Sequence, residues 1–484
     1  MFPVYFTVFF HATDKIKYNK KLYFVYTVLM AISSRLDYVL IMKIKSLFFA
    51  VLIQAVFAQA VFAQQIPASQ VVTVDEAVRL ALNNNLSLQR SALNTGTLKR
   101  AADRSWNSFL PTVGAGVMVS HPSSITGPLP PGQDVWTPGF SLSAGLTRST
   151  AAIENIKRAR ADYEAGLLTY EAARQELEYQ VRRLFYQILL LDANREIAAQ
   201  NFASAQARHE QSAALARAGQ VPHLDELSAR VDMENMRPVV RNTEIMYENA
   251  LDSFKAILGL PAETMIVLDG SLSTAELAGE LNGNLSGAKG RSRESLETAI
   301  IRKSIQSLEA QRKTVRNSAY IPSLRLSWNS TPLYVNTPMG RSWNDINGSF
   351  SVSLGMNLDS FLPWSNAKTQ MDTLNDHIQS AQIQMTDSLR SRDNRLNQNI
   401  RTIERILESL EAMTLNVELA RTTYNMFENA YRNGAMDYQR LRSARDGLEQ
   451  ADNRLLQEQF NLILAILDLE RELNIPFGTF GKGE

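Results

Sequence analysis

The chain repeats itself once, and that repetition restricts its fold more than any other feature. FLPTVGAGV (109–117) matches YIPSLRLSW (320–328), with Pro111 on Pro322, 211 residues apart. ARAGQVPHLDEL around Gly219 and YRNGAMDYQRL around Gly434 lie 215 residues apart, as do LGLP ending at Pro261 and LNIP ending at Pro476. Three landmarks in one order, with four residues of slippage, describe two copies of one plan. Each copy reads as helix, strand, strand, a very long helix, a tight turn and a further helix. The copies are expected at 64–262 and 292–476, separated by a linker at 263–291 that holds the glycine-rich run LNGNLSGAKG, and followed by a tail at 477–484.

The long helices carry a seven-residue period. Tyr163, Leu167, Tyr170, Leu177, Val181, Leu184, Ile188, Leu191, Ala198, Phe202 and Ala205 keep a three-four spacing, interrupted at Arg174 and Arg195. Leu441, Leu448, Leu455, Leu462 and Leu469 repeat every seventh residue. Such a seam faces one partner and implies a left-handed supercoil. No Pro or Gly interrupts 167–218, so a helix starting near 150 would run ~100 Å at ~1.5 Å per residue. Alone, this pattern fits a coiled coil with no pore equally well.

Four segments instead alternate with period two: Val113 to Val119, Phe140 to Leu146, Leu324 to Trp328, and Phe350 to Leu358. Their intervening residues are mostly Ser, Gly, Thr, Asn or Arg, as in Ser141, Ser143, Gly145, Arg325, Ser327 and Asn329. One apolar and one small polar face suit a strand between lipid and a wet lumen, as well as a half-buried sheet of a soluble domain. Trp136, Tyr334, Trp343, Phe361 and Trp364 near the strand ends favour the membrane, where aromatics form interfacial belts. Four strands are too few for a membrane barrel, which needs at least eight, so spanning strands would have to be shared between copies.

An export signal agrees with this. SLFFAVLIQAVFAQAVFA (46–63) is free of charge and follows Lys43 and Lys45, with cleavage expected after Ala63 or, second, after Ala60. Residues 1–41 precede it and point to a start at Met42; a long n-region with an extra anchor is the other reading. Loss of 1–63 would move the net charge from +1 to −4, which offers nothing to nucleic acid. With no cysteine in the chain, disulfides, thiolate metal sites and a lipoprotein anchor are all excluded.

VTVDEAVRLALNNNLSLQ (72–89), the FLP-then-strand junction, the two segments ARAGQVPHLDELSARVDMENMR and FENAYRNGAMDYQRLRSARDGLEQADNRLL, and LGLP together resemble the TolC-type outer-membrane efflux proteins. The likeness covers about 73–476. It implies an α+β membrane protein: a homotrimer whose protomers each give four strands to a shared 12-stranded β-barrel, continued by a long α-helical coiled-coil barrel through the periplasm. It also implies a passive duct in outer-membrane lipid, docked on a periplasmic adaptor (membrane fusion protein) and served by an inner-membrane transporter. The rival from another class is a periplasmic adaptor or scaffold without a pore.

By this resemblance Gly219 and Gly434 are tip glycines. Val221, Leu224, Ala435, Tyr438 and Leu441 beside them are expected to help dock the adaptor. Asp225 and Tyr431 match a latch between tip helices. Arg440 and Ser443 stand where a well-known member has aspartates, and Met436 where its latch has an arginine, so a ring of Arg440 would favour anions. Asp446 is expected to pair with Arg442 at i, i+4 or to be a solvated surface residue.

No cofactor or metal is expected, and no enzyme. HExxH, GxxxxGK[ST] and GxSxG are absent and the five histidines are dispersed. His223 is read as a polar tip residue, and the scattered methionines as core filling.

Overall fold

A computed structural model describes residues 70–121, 136–272, 294–337, 340–343, 348–433 and 435–480. The export signal, its cleavage sites, the Met42 start, the 281–290 run and Gly434 lie outside the described residues.

Strand β1 (Gln70–Val72) leads into α1 (Val74–Asn84) and α2 (Leu86–Asp103). Thr73 and Asn85 cap these helices by accepting backbone N–H groups from the first turn, which would otherwise lack partners. A 3-10 turn (Ser105–Phe109) and Pro111 then release the chain into β2 (Thr112–Ser120) and β3 (Thr137–Arg148). Ser149 caps α3 (Thr150–Arg217), a helix of 68 residues and so ~100 Å long. After a short turn comes α4 (His223–Leu258), then β4 (Ile266–Leu268), paired with β1.

The same succession follows. α5 (Leu296–Tyr320) meets β5 (Ser323–Ser330) across Pro322; a small hairpin, β6 (Tyr334–Thr337) and β7 (Gly340–Trp343), precedes β8 (Ser349–Gly355). A 3-10 turn and a Ser365 cap open α6 (Asn366–Arg432, 67 residues), and α7 (Tyr438–Leu473) closes the order. α4 and α7 both have 36 residues, and both end on a left-handed residue, Gly259 (φ 70°) and Asn474 (φ 55°). Leu358, expected in the fourth strand, lies in the 3-10 turn Leu358–Phe361: the ladder stops at Gly355 opposite Ser323, where β5 itself begins.

The four long strands form one antiparallel sheet in the order β2-β3-β5-β8. Its register sorts the side chains without exception at the centre. Val117 lies beside Phe140, Ala144 beside Trp328, Leu326 beside Val352 and Trp328 beside Phe350, which makes one continuous apolar face. The other face holds Gly114, Gly116, Ser141, Ser143, Ser327 and Ser351, with Ser327 and Ser351 hydroxyls 2.8 Å apart.

The helical seams fill the core. Val181, Phe185, Ile188, Phe254 and Leu258 pack α3 on α4 with α1 and β1, while Ile403, Ile406, Leu462 and Leu469 pack α6 on α7. Leu167, read as a seam position, is exposed, and Phe185 rather than Leu184 is the deeply buried side chain of its turn. Glu470, fully buried, accepts the backbone N–H groups of Gly478 and Phe480 and so ties the tail to α7; burial pushes its carboxyl above the ordinary range. Among the described residues no helix is long and apolar enough to cross a membrane.

Candidate functional site at the helical turns

The turn after α3 is built on Gly219, whose φ of 70° is the left-handed conformation that closes helices at little cost only for glycine. The N–H of Gly219 donates to Ala216 and that of Gln220 to Leu215, which satisfies the last carbonyls. The matching turn after α6 is followed by Asp437, whose carboxylate accepts the N–H of Arg440 and caps α7. Near these turns Val221 is half-buried and Ala435 exposed, and Leu224 is 69% exposed on the first turn of α4.

Just above the turns the two hairpins are joined by a buried polar cluster. Asp232 on α4 is only 2% exposed, and its carboxylate takes the Tyr438 hydroxyl at 2.8 Å and Arg442 Nη1 at 3.1 Å, both from α7. Tyr431 on α6 shares a 3.2 Å hydrogen bond with Ser212 on α3 and stacks edge-on with Tyr438. Ala229 and Leu441 close the apolar side. Burial, then the bond to Asp232 and its charge, push the Tyr438 phenol up to about 12, so it remains a neutral donor at ordinary pH. Asp446 is held mainly by Arg445 at 2.6 Å, with Arg442 at 3.9 Å. Arg445 keeps one buried nitrogen, Nη1, without a partner among the described residues, and Arg208 on α3 likewise keeps its Nη2.

Sequence-expected residues are thus partly gathered here. Tyr431, Tyr438, Leu441 and Asp446 meet in or beside the cluster. Asp225 is half-buried and forms no bond to Tyr431, whose hydroxyl turns to Ser212 instead. Tyr438 and Leu441, expected to help dock a partner, are buried between α4, α6 and α7 and support the tip from inside. Arg440 and Ser443 are exposed, with Arg440 3.5 Å from Asp437. His223 pairs with Glu226 at 2.7 Å. No group of three or more metal-binding side chains occurs among the described residues.

Asp232, Arg442, Ser212 and Arg445 were not marked by sequence reasoning as latch residues. The available signal was Asp232 itself, an acid seven residues and two turns beyond Asp225, three after the buried Ala229.

Such a sheet set on paired long helices is the build of outer-membrane channels. The CmeC channel of Campylobacter jejuni superposes with a TM-score of 0.67 at 14% identity, over 83% of this chain and 85% of that one. VceC of Vibrio cholerae gives 0.66 at 14%, over 84% and 96%. The open state of MtrE from Neisseria gonorrhoeae gives 0.64 at 15%, over 83% and 89%. No curated protein sequence matches the chain. Residues 77–260 match the family model of the outer membrane efflux proteins. That segment is similar to the outer membrane efflux proteins, and the fold around it is similar to that of the solved channels, in line with the resemblance to the TolC type.

Proposed function

We propose that the chain is one protomer of a passive outer-membrane exit duct, which takes substrate from an inner-membrane transporter in a tripartite efflux or type I secretion assembly. Three copies contribute four strands each to a 12-stranded barrel, and the paired hairpins α3/α4 and α6/α7 extend as a periplasmic tunnel. The two repeats, 64–262 and 292–476, are the units of this arrangement, reached after removal of an export signal.

The observation that carries the reading is the sheet. Its apolar face is open, with Val117 at 88% exposure and Leu354 at 72%, and its edge strands β2 and β8 each have one neighbouring strand among the described residues. A water-soluble protein seldom leaves so broad an apolar face and two free edges uncovered. Lipid covers the face, and the next copy covers each edge.

At the other end, the turns offer Val221, Leu224 and Ala435 to a periplasmic adaptor. We assign the latch to Asp232, Tyr438 and Arg442, and infer that adaptor docking parts α4 from α7. An exposed ring of Arg440 would favour anions at the mouth. Membrane fractionation, the native mass after mild detergent extraction, and conductance in planar bilayers test the reading. A trimeric, conducting outer-membrane protein supports it; a water-soluble monomer or dimer leaves a scaffold without a pore.

A further inference from the structure

A basic groove lies between α5 and α6 at their sheet-proximal ends. Arg312, Lys313, Arg316, Lys368, Asp372 and Tyr320 line it, four cations against one acid. None of the four cations makes an ion pair among the described residues; Arg312 donates to the neutral Asn375 at 2.8 Å. Surface cations elsewhere on these helices mostly find carboxylates, as Lys303 does with Glu164 and Arg405 with Glu458. The opposite flank of the same helix pair, lined by Gln311, Val315, Thr369, Thr373 and His377 among others, has no Arg or Lys. The positive charge is therefore one-sided.

Tyr320 marks the upper end of the groove and packs edge-on against Phe361, 5.3 Å between ring centres. Phe361, Leu358 and Trp364 around it are all strongly exposed. Such an aromatic belt sits at the level where hydrocarbon gives way to headgroups. Arg316 and Arg312 lie one and two turns below Tyr320, or ~6 and ~12 Å at ~1.5 Å per residue. The headgroup layer on each side of a bilayer is ~5–8 Å deep, so Arg316 and Lys368 stand at phosphate depth and Arg312 just beneath it.

We propose that this groove holds the headgroup of an anionic phospholipid of the periplasm-facing leaflet. Arg316 and Arg312 would meet the phosphodiester oxygens with paired N–H donors, Lys368 would add a point charge, and the acyl chains would run up over Phe361 and Trp364. The inference rests on the membrane reading above, since only that reading brings lipid to the belt.

The test is native mass spectrometry of the detergent-extracted outer-membrane protein, mixed with equal amounts of phosphatidylglycerol and phosphatidylcholine of the same acyl chains. The expected result is about tenfold preference for phosphatidylglycerol on the trimer, given the pull of basic side chains on anionic headgroups. Arg316→Gln with Lys368→Gln should abolish the preference, while Arg390→Gln with Arg401→Gln, which removes equal charge lower on α6, should leave it. Equal retention of both lipids by an intact trimer, equal loss in the two double variants, or displacement of the lipid by 10-fold excess inorganic phosphate over lipid would overturn the lipid site alone. A chain that is not trimeric or not in the outer membrane would overturn the duct as well.

Discussion

Replacing Asp232 by alanine should loosen the joint between the two hairpins without unfolding the helices. The carboxylate is buried and takes two donors from α7, the Tyr438 hydroxyl and Arg442 Nη1. A hydrogen bond to a charged acceptor contributes about 1.5–3 kcal/mol. The ion pair adds little more than about 0.5 kcal/mol, because Arg442 is 39% exposed and screened by water. Together the loss is about 3 kcal/mol, or roughly a hundredfold in the local opening equilibrium. Hydrogen–deuterium exchange should show it in peptides covering 224–240 and 436–448, while peptides around the Ile403–Leu462 core keep their protection. Tyr438→Phe should reproduce part of the effect, and the double variant should show coupling of at least about 0.5 kcal/mol between the two sites. Strict additivity, or protection within twofold of the native protein in Asp232→Ala, would refute this coupling.

Other consequences are separate. Gly219→Ala should cost about 1 kcal/mol at the first turn, since φ is 70° there although a Cβ would touch nothing, and the same exchange experiment on 210–224 reads it. Because the Tyr438 phenol is pushed up from 10.0 to about 12, folding loses stability as pH rises from 10, where the unfolded phenol ionises first, until about 12, and Tyr438→Phe should flatten that stretch of the melting-temperature profile. Val352→Lys on the apolar face should cost about 2–4 kcal/mol in lipid and cut the yield of inserted protein, whereas Ser351→Lys, one residue away on the small polar face, should insert at near-native yield.

How much of this was legible in the sequence differs by element. The alternation of Val113 to Val119 and of Phe350 to Leu358 located two strands, the second running past the end of its ladder at Gly355, because period two survives whichever solvent covers the face. The leucines at 441, 455, 462 and 469 located a seam because a supercoil must repeat every seven residues. The β6/β7 hairpin was missed: YVNT and GRSW are too short to display a period, and its Trp343 ring lies against Phe140 and Tyr334. The tip was legible in place but not in wiring. Gly219 announces the turn, yet whether Tyr431 reaches Asp225 or Ser212 depends on the rotation of α3 against α6, helices joined only through tertiary packing. Asp232 was hidden for the same reason, since its partner Tyr438 lies 206 residues away.

The shared barrel is tested most directly by joining the edge strands through cysteine, which the native chain lacks. Within one copy β2 and β8 are separated by two strands, so their backbones lie ~14 Å apart at ~4.8 Å per strand, well beyond the ~7 Å limit for a disulfide. Val113, Ala115 or Val117 would be changed to Cys together with Phe350 or Val352, and the protein oxidised in the outer membrane. The account predicts that at least one pairing gives a covalent trimer on a denaturing gel that returns to monomer on reduction. Monomer alone from every pairing, or a ladder that ends at dimer, would contradict it.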